Sequence, residues 1–137
     1  MSSINQSLVV QAGVAQAFIE QATSYFRNVD GFDTEGIMSH LTDDVILEVP
    51  THGVRKEGRD EVRQAYLNRT DTVKESWHGN FQFTCDEANA RLAIRLDVKR
   101  TNVDGSQEEM DNLTLLAFKD NRICHITVWM SGENSLT

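Results

Sequence analysis

Residues 90–99 read ARLAIRLDVK, with an apolar side chain at every even position and mostly charged side chains at the odd positions. Successive side chains of a β-strand point to opposite faces of the sheet. This alternation therefore predicts a strand with one face in the core and the other in water, as is typical of antiparallel sheets. The segment 90–99 is predicted to be a half-buried antiparallel strand.

The segments around 90–99 alternate in the same way. Residues 77–85 place Phe81 and Phe83 on the face opposite to His78, and residues 109–119 and 122–131 predict two further strands. The short Asp120-Asn121 turn joins the last two strands into a hairpin. The second half of the chain is therefore predicted to form a curved, mainly antiparallel sheet.

The first half of the chain has a helical period instead. Apolar residues recur every three or four positions from Leu8 to about Arg27, which predicts a long amphipathic helix. Asp33 is a suitable N-cap for a second helix that ends at Leu41. A third helix is predicted from about residue 60 to residue 68.

The first strand ends at Pro50, the single proline of the chain. Residues 45–49 are apolar and mostly β-branched, which is typical of a strand. A loop is predicted at residues 51–58, before the third helix. The predicted fold class is therefore α+β, with three N-terminal helices packed on a curved, mainly antiparallel sheet.

The composition indicates one globular domain over residues 1–137. Of these residues 39% are hydrophobic and 25% are charged, as in ordinary folded domains. We expect residues 1–7 to be a flexible N-terminus and residues 132–137 to be a C-terminal tail. The chain has 13 basic and 21 acidic residues, a net charge of -8. This balance argues against nucleic acid as a partner, because phosphate binding needs a basic surface.

The location is predicted from three further features. No segment is apolar for long enough to cross a membrane, and the first residues lack the pattern of a leader peptide. The two cysteines, Cys85 and Cys124, lie far apart in alternating apolar segments. We expect them to be free thiols in a reducing cytoplasm, and we expect neither a metal nor a cofactor.

Several motifs together resemble a known family. They are DTEGI at 33–37, LTDD at 41–44, EVP at 48–50, GRDEVRQAY at 58–66 and FKDNRI at 118–123. In this order they resemble the ketosteroid isomerase and SnoaL-like polyketide cyclase branch of the nuclear-transport-factor-two-like superfamily. The resemblance implies a cone-shaped, barrel-like fold of the cystatin-like type. Its sheet would curl around the long first helix and enclose an apolar pocket.

The resemblance also assigns roles to the positions of three residues, Tyr25, Tyr66 and Val49. Tyr25 lies where ketosteroid isomerases place the tyrosine that polarises the substrate oxygen, and Tyr66 lies where a second tyrosine supports the first. The alternative is that Tyr25 only packs in the core. Val49 occupies the position of the family's general base, an aspartate, so the usual base is missing. Glu48 is expected to point away from the pocket, because neighbouring strand residues face opposite sides.

The pocket wall is expected to be apolar with a few polar groups. Asn112 and Thr114 fall near the position of the family's second oxygen-binding group, and both can donate a hydrogen bond to a carbonyl. Either could instead satisfy a buried strand position. The predicted substrate-binding residues are Phe18, Val49, Phe81, Phe83, Ile94, Leu96, Asn112, Thr114, Leu116, Ile126, Val128 and Met130.

A histidine is the natural replacement for the missing base, because imidazole titrates near neutral pH. His52, in the loop after Pro50, is the preferred candidate as a third catalytic residue beside the two tyrosines, and the alternative is a solvated loop histidine. His40 is expected to have a packing or surface role. His125, Thr127 and Trp129 are predicted on the outer sheet face, where an apolar tryptophan favours a homodimer interface.

Two functions are compatible with these residues. The first is an isomerase, cyclase or dehydratase of the SnoaL-like type that acts on a hydrophobic oxygenated molecule, such as a polyketide, a terpenoid or a steroid-like compound. The second is a noncatalytic ligand-binding or dimerisation module that has lost the catalytic carboxylate. An enzyme needs another titratable group in the pocket in place of Val49, whereas a binding module does not.

Overall fold

The computed structural model describes the backbone of residues 2–136 and the side chains of residues 13–136. The predicted flexible segment 1–7 lies outside the described side chains. The three helices are α1 (Ser2–Asp30), α2 (Thr34–Ser39) and α3 (Gly58–Arg69). The strands are β1 (Leu41–Val49), β2 (Val54–Glu57), β3 (Val73–Asp86), β4 (Arg91–Asn102), β5 (Gln107–Lys119) and β6 (Arg122–Trp129).

The six strands form one open sheet in the order β2-β1-β6-β5-β4-β3. Strand β1 pairs with β6 in parallel, and every other described neighbour pair is antiparallel. The hairpin between β5 and β6 turns at Asp120 and Asn121, whose φ angles of 52° and 58° suit a tight turn of the mirror-image type. The predicted α+β class and the mainly antiparallel sheet are confirmed.

The predicted loop at 51–58 contains structure that the sequence pattern did not show. Residues Pro50–His52 form a single 3-10 turn, and Val54–Glu57 form the edge strand β2. Strand β2 is only four residues long and carries three charged side chains among them. A short charged edge strand lacks a distinctive apolar pattern, which explains why this segment resembles a loop.

The main core lies between α1 and the concave face of the sheet. On α1, Phe18 stacks on Phe118 of β5 with ring centroids 4.2 Å apart, and Phe26 stacks on Phe81 of β3 at 5.2 Å. The C-terminal tail returns to this core, where Leu136 is only 6% exposed. The predicted tail is therefore packed against the domain over its described part, 132–136.

Strand β3 changes face within its length. His78 pairs with Val98 and Gly79 with Asp97, but the next recorded pair joins Gln82 to Arg95, so the β3 side has one extra residue. This is a β-bulge, and Asn80 in it has a φ of 53°. The bulge places His78 on the same concave side as Phe81. The predicted opposition of these two side chains is therefore wrong.

Candidate functional site

A small enclosed cavity lies where α1, the end of α3, the concave sheet face and the C-terminal tail meet. The volume inside it that the centre of a water molecule can occupy is about 50 Å³. Its apolar wall includes Leu96, Val98, Met110, Val128 and Met130, and the tail contributes Leu136. Its polar wall consists of Tyr25, Tyr66, Arg69, His78, Arg100, Asn112, Thr114 and Ser135.

The sequence-predicted wall residues divide into two groups. Seven predicted catalytic or substrate-binding residues line the cavity, namely Tyr25, Tyr66, Leu96, Asn112, Thr114, Val128 and Met130. Seven others belong to the core or pack against it without lining the cavity, namely Phe18, Val49, Phe81, Phe83, Ile94, Leu116 and Ile126. Alternation predicts which sheet face a side chain occupies, but it does not predict whether that part of the face is filled by aromatic packing.

The two tyrosines are joined through their hydroxyl groups. Tyr25 is on α1 and Tyr66 is on α3, their Oη atoms are hydrogen-bonded, and their rings meet edge to face with centroids 6.3 Å apart. Burial raises the pKa of Tyr25 to about 12, although the Tyr66 hydroxyl opposes this rise. Burial and the neighbouring Tyr25 raise the pKa of Tyr66 well above 10.0. Both phenols are therefore neutral hydrogen-bond donors at physiological pH.

These pKa values predict an unusual alkaline titration, because Tyr25 and Tyr66 are the only tyrosines of the chain. At about pH 11 most tyrosines of an unfolded chain are ionised, whereas the folded protein should show little tyrosinate absorbance in the near ultraviolet. Because the pKa is raised in the folded state, ionisation of the tyrosine does not reduce the free energy of unfolding below pH 10. The free energy of unfolding then falls as the pH rises from 10 toward 12. For Tyr25 the loss is roughly 3 kcal/mol. Normal titration of either tyrosine in the folded protein would contradict this.

His78, in the same wall, forms a second polar pair with Asp30. His78 Nδ1 is 2.5 Å from Asp30 Oδ1, and the His78 backbone N–H donates to Asp30 Oδ2 at 2.8 Å. Ser76 Oγ also donates to Asp30 Oδ1 at 2.8 Å. Burial raises the pKa of Asp30, but these hydrogen bonds and the charge of His78 outweigh it, so the pKa is lowered overall.

This contact fixes the protonation pattern of the imidazole. An ionised Asp30 accepts a hydrogen bond from Nδ1, so a neutral His78 carries its proton on Nδ1 and has a lone pair on Nε2. No partner of Nε2 occurs among residues 13–136. His78 is thus a half-buried imidazole in a cavity wall, oriented by a carboxylate, and its Nε2 is a free basic nitrogen when the ring is neutral.

The sequence analysis missed this pair for two reasons. Asp30 is the last residue of α1, beyond the predicted helix end at about Arg27, and a carboxylate at a helix C-terminus is electrostatically unfavourable without a partner. His78 is on the inner face only because of the bulge at Asn80. The Gly79-Asn80 dipeptide was the one available indication, because glycine and asparagine are frequent at bulges and turns.

Two arginines complete the polar wall. Arg100 is held by Glu108, whose Oε2 lies 2.6 Å from Nη2, and by the Glu133 carbonyl at 2.8 Å. Arg69 donates from Nη1 to the Val29 carbonyl at 3.3 Å. Both arginines are buried, with 5% of Arg69 and 6% of Arg100 exposed.

The remaining predicted polar residues lie as follows. Asn112 accepts from the Ser131 backbone N–H at 3.2 Å and Thr114 is buried beside it on β5, so each has a polar group at the wall. His52 is exposed, contacts Thr51 Oγ1 at 2.9 Å, and is not part of the wall, because the 3-10 turn directs it to solvent. His40 bonds to side chains of α1, at 2.7 Å for Gln21 Oε1, which fits its expected packing role.

Glu48 lies on the convex face, as predicted. It forms an ion pair with Arg55 of the edge strand, and its Oε2 is 3.3 Å from His125 Nε2. Val49 next to it is fully buried in the core. Strand β1 therefore presents no carboxylate to the cavity.

The described residues contain neither a cluster of metal-binding side chains nor a membrane-spanning helix. No group of three or more histidine, cysteine, aspartate or glutamate side chains there could hold a metal ion. In the same part of the chain, no helix combines the length and the apolar character needed to cross a bilayer.

Comparison with solved structures identifies the fold. A proposed polyketide cyclase from Xanthomonas campestris pv. campestris superposes with a TM-score of 0.76 at 14% identity, covering 85% of this chain and 91% of that chain. SalBIII, described as an epoxide hydrolase/cyclase-like enzyme in pyran ring formation in salinomycin, gives 0.75 at 19% identity, with coverages of 85% and 92%. No protein-family model and no curated protein sequence matches the chain.

A third similar structure points to the same fold. It is a protein from Catenulispora acidiphila with a ketosteroid isomerase-like fold, in complex with trimethylamine. Its TM-score is 0.75 at 11% identity, and the alignment covers 85% of this chain and 88% of that chain. At such identities the similarity shows a shared fold, so the nuclear-transport-factor-two-like architecture predicted from the sequence is confirmed.

Proposed function

We propose that this protein is an isomerase, cyclase or dehydratase that moves a proton within a hydrophobic oxygenated molecule. One observation carries the proposal, namely that His78, which Asp30 orients, lines the same cavity as the Tyr25–Tyr66 pair. A general base and a neutral oxygen-binding donor are the two groups that enolisation requires. The similarity in fold to SalBIII and to a proposed polyketide cyclase supports this class of chemistry.

Each pair has a role in the proposed reaction. His78 Nε2 removes a proton from the carbon beside a carbonyl, and Asp30 stabilises the imidazolium that forms. Tyr25 donates a hydrogen bond to the carbonyl oxygen as it gains negative charge, while Tyr66 donates to Tyr25 and orients it. The imidazolium then returns its proton to another carbon in an isomerisation, or to a departing hydroxyl group in a dehydration.

The wall also supports the substrate class. Leu96, Val98, Met110, Val128 and Met130 present an apolar surface that favours a polyketide, a terpenoid or a steroid-like compound. Asn112 and Thr114 are placed to bind a further oxygen of such a molecule.

The catalytic proposal is favoured over a noncatalytic binding module by His78. A binding module has no need of an oriented base, whereas His78 supplies the titratable group that Val49 cannot. The test is exchange of α-protons in D₂O, followed by ¹H NMR, on hydrophobic ketones beginning with 2-tetralone. The wild-type protein should accelerate exchange above the buffer rate, and the acceleration should depend on His78. Exchange at the buffer rate for every ketone would favour the binding module.

We further propose that the convex sheet face forms a homodimer interface. Leu113 and Trp129 are directly paired across β5 and β6, and they are 43% and 36% exposed. Thr127, also predicted in this interface, is 8% exposed, and His125 is half-buried. Adjacent exposed apolar side chains on a sheet are typical of interfaces.

The interface predicts a change in assembly when Trp129 is made charged. The wild-type protein should sediment as a dimer, and Trp129→Glu should sediment as a monomer because it would bury a carboxylate without a partner. Trp77→Glu is the matched control, since Trp77 is 42% exposed on β3, three strands away from Trp129 in the sheet. A monomeric wild type, or a dimeric Trp129→Glu variant, would contradict the proposed interface.

The cysteines agree with the proposed cytoplasmic location. Cys85 and Cys124 are both free and half-buried, and burial raises the pKa of each thiol. Thiols of this kind have low reactivity.

A further inference from the structure

The cavity wall contains two buried arginines that differ in their surroundings. Arg69, at the end of α3, and Arg100, on β4, are each at least nine-tenths buried and both line the cavity. A buried guanidinium is stable only when carboxylates or other acceptors use its N–H groups. The two residues therefore allow a direct comparison within one wall.

Arg100 has the partners that a buried arginine needs. Glu108 Oε2 accepts from Nε at 2.9 Å and from Nη2 at 2.6 Å, and the Glu133 carbonyl accepts at 2.8 Å. The charge of Arg100 is thus balanced by a carboxylate of the neighbouring strand. This arginine has little left to offer a ligand.

Arg69 is different. Its one recorded hydrogen bond goes to the Val29 carbonyl at 3.3 Å, and among residues 13–136 no carboxylate oxygen lies within 4.0 Å of it. Because a guanidinium has five N–H donors, most of its hydrogen-bonding capacity is unused. The Phe32 ring lies 5.2 Å from the guanidinium carbon and holds the group in place.

Asp30 is not a direct hydrogen-bond partner of Arg69. Its two carboxylate oxygens already accept three hydrogen bonds, from the His78 ring, the His78 backbone and Ser76. Its charge favours the ionised form of Arg69 only at longer range, and burial lowers the pKa of Arg69 overall. Among residues 13–136 the guanidinium of Arg69 therefore has no direct counter-ion.

We infer that Arg69 binds a carboxylate group of the ligand, so that the substrate of the proposed reaction is a hydrophobic keto acid. This inference rests on the proposed function for the keto group, but the anion site stands on Arg69 itself. The planar fork of arginine matches a carboxylate in two parallel hydrogen bonds. A phosphate is less suitable, because its second charge would need another cation and Arg100 is already neutralised by Glu108.

The position of Arg69 relative to the tyrosines agrees with this ligand. Tyr66 and Arg69 are three residues apart on α3, so they are neighbours on one face of the helix. Since Tyr66 is also hydrogen-bonded to Tyr25, the proposed ligand has its carbonyl at Tyr25 and its carboxylate at Arg69 within one cavity. Benzoate and benzamide test the inference, since they share a shape and differ in charge.

The experiment measures binding of both probes by NMR titration at neutral pH. Wild-type protein should bind benzoate about tenfold more tightly than benzamide. Arg69→Met should remove this preference without weakening benzamide binding, and Arg69→Lys should retain part of it. Arg95→Met is the matched control, because Arg95 pairs with Asp111 on the exposed convex face, and it should keep the full preference.

Three results would overturn the inference. They are equal binding of the two probes by the wild type, absence of saturable benzoate binding, and an Arg69→Met variant that keeps the preference. If Arg69→Met does not fold, two other measurements test the inference. Arg69→Lys should keep part of the preference for benzoate. In the wild type, benzoate should shift the Nε–H resonance of Arg69 and benzamide should not. His78→Gln should still prefer benzoate, because His78 is not part of the anion site. Failure of the catalytic proposal would therefore leave the anion site supported, and failure of the anion site would leave the catalytic proposal supported.

Discussion

His78→Gln is expected to lower the rate of α-proton exchange from 2-tetralone by at least about 100-fold. Glutamine keeps a polar side chain of similar reach but has no basic nitrogen, so the proton has no acceptor in the wall. Asp30 cannot substitute, because hydrogen bonds from the His78 backbone and Ser76 occupy its oxygens and its lowered pKa makes it a weak base. The measurement is the ¹H NMR exchange rate in D₂O at equal protein concentration.

His52→Gln is the matched control for this prediction. It makes the same chemical change at an exposed histidine that does not line the cavity. We expect it to retain the wild-type exchange rate within about twofold. Full activity in His78→Gln together with a large loss in His52→Gln would place the base in the loop after Pro50 and refute the role of His78.

Much of the fold could be predicted because its strands alternate regularly. In β4, Leu92, Ile94, Leu96 and Val98 are all buried, as the pattern of 90–99 requires. Such a pattern shows the period of a strand and the face that it buries. The pattern cannot show the extra residue of a bulge. The bulge at Asn80 therefore places His78, which precedes it, on the face opposite to the predicted one. The edge strand β2 was missed because four residues with three charges contain no period to detect.

The two tyrosines of the candidate site were predicted from the sequence, whereas the Asp30–His78 pair was not. Tyr25 and Tyr66 were placed by the resemblance of the surrounding motifs, and the structure brings their hydroxyl groups into contact. Asp30 and His78 are 48 positions apart, and they meet because a helix end lies against a bulged strand. A sequence pattern records local spacing, so it cannot bring together residues whose contact depends on the tertiary packing of two elements.

Strand β1 provides no titratable side chain to the cavity wall. Strand β1 buries Val49 completely and turns Glu48 to the convex face, where Arg55 and His125 surround it. The polar groups of the cavity come instead from α1, α3, the strands β3 to β5 and the C-terminal tail. If His78 is the base, proton removal occurs from the β3 side of the cavity rather than from the β1 side.

Tyr25→Phe is expected to lower the same exchange rate by about 100-fold, since removal of one donor from a developing oxyanion typically has an effect of this size. The phenol donates without being ionised, because burial raises its pKa to about 12. The change deletes one oxygen and keeps the ring that packs edge to face on Phe26. The loss should therefore appear in kcat, with a smaller change in KM.

Tyr66→Phe is the control that separates donation from positioning. Tyr66 is equally buried and loses the same hydroxyl group, so both variants leave one phenol without its partner and should lose a similar stability, about 1–3 kcal/mol. If Tyr66 acts only through Tyr25, its replacement should lower the exchange rate by about tenfold or less. Equal losses in the two variants would assign both hydroxyl groups to the substrate. A fully active Tyr25→Phe variant would show that the pair is structural and that the carbonyl is polarised elsewhere in the wall, with Asn112 and Thr114 as the nearest candidates by chemistry.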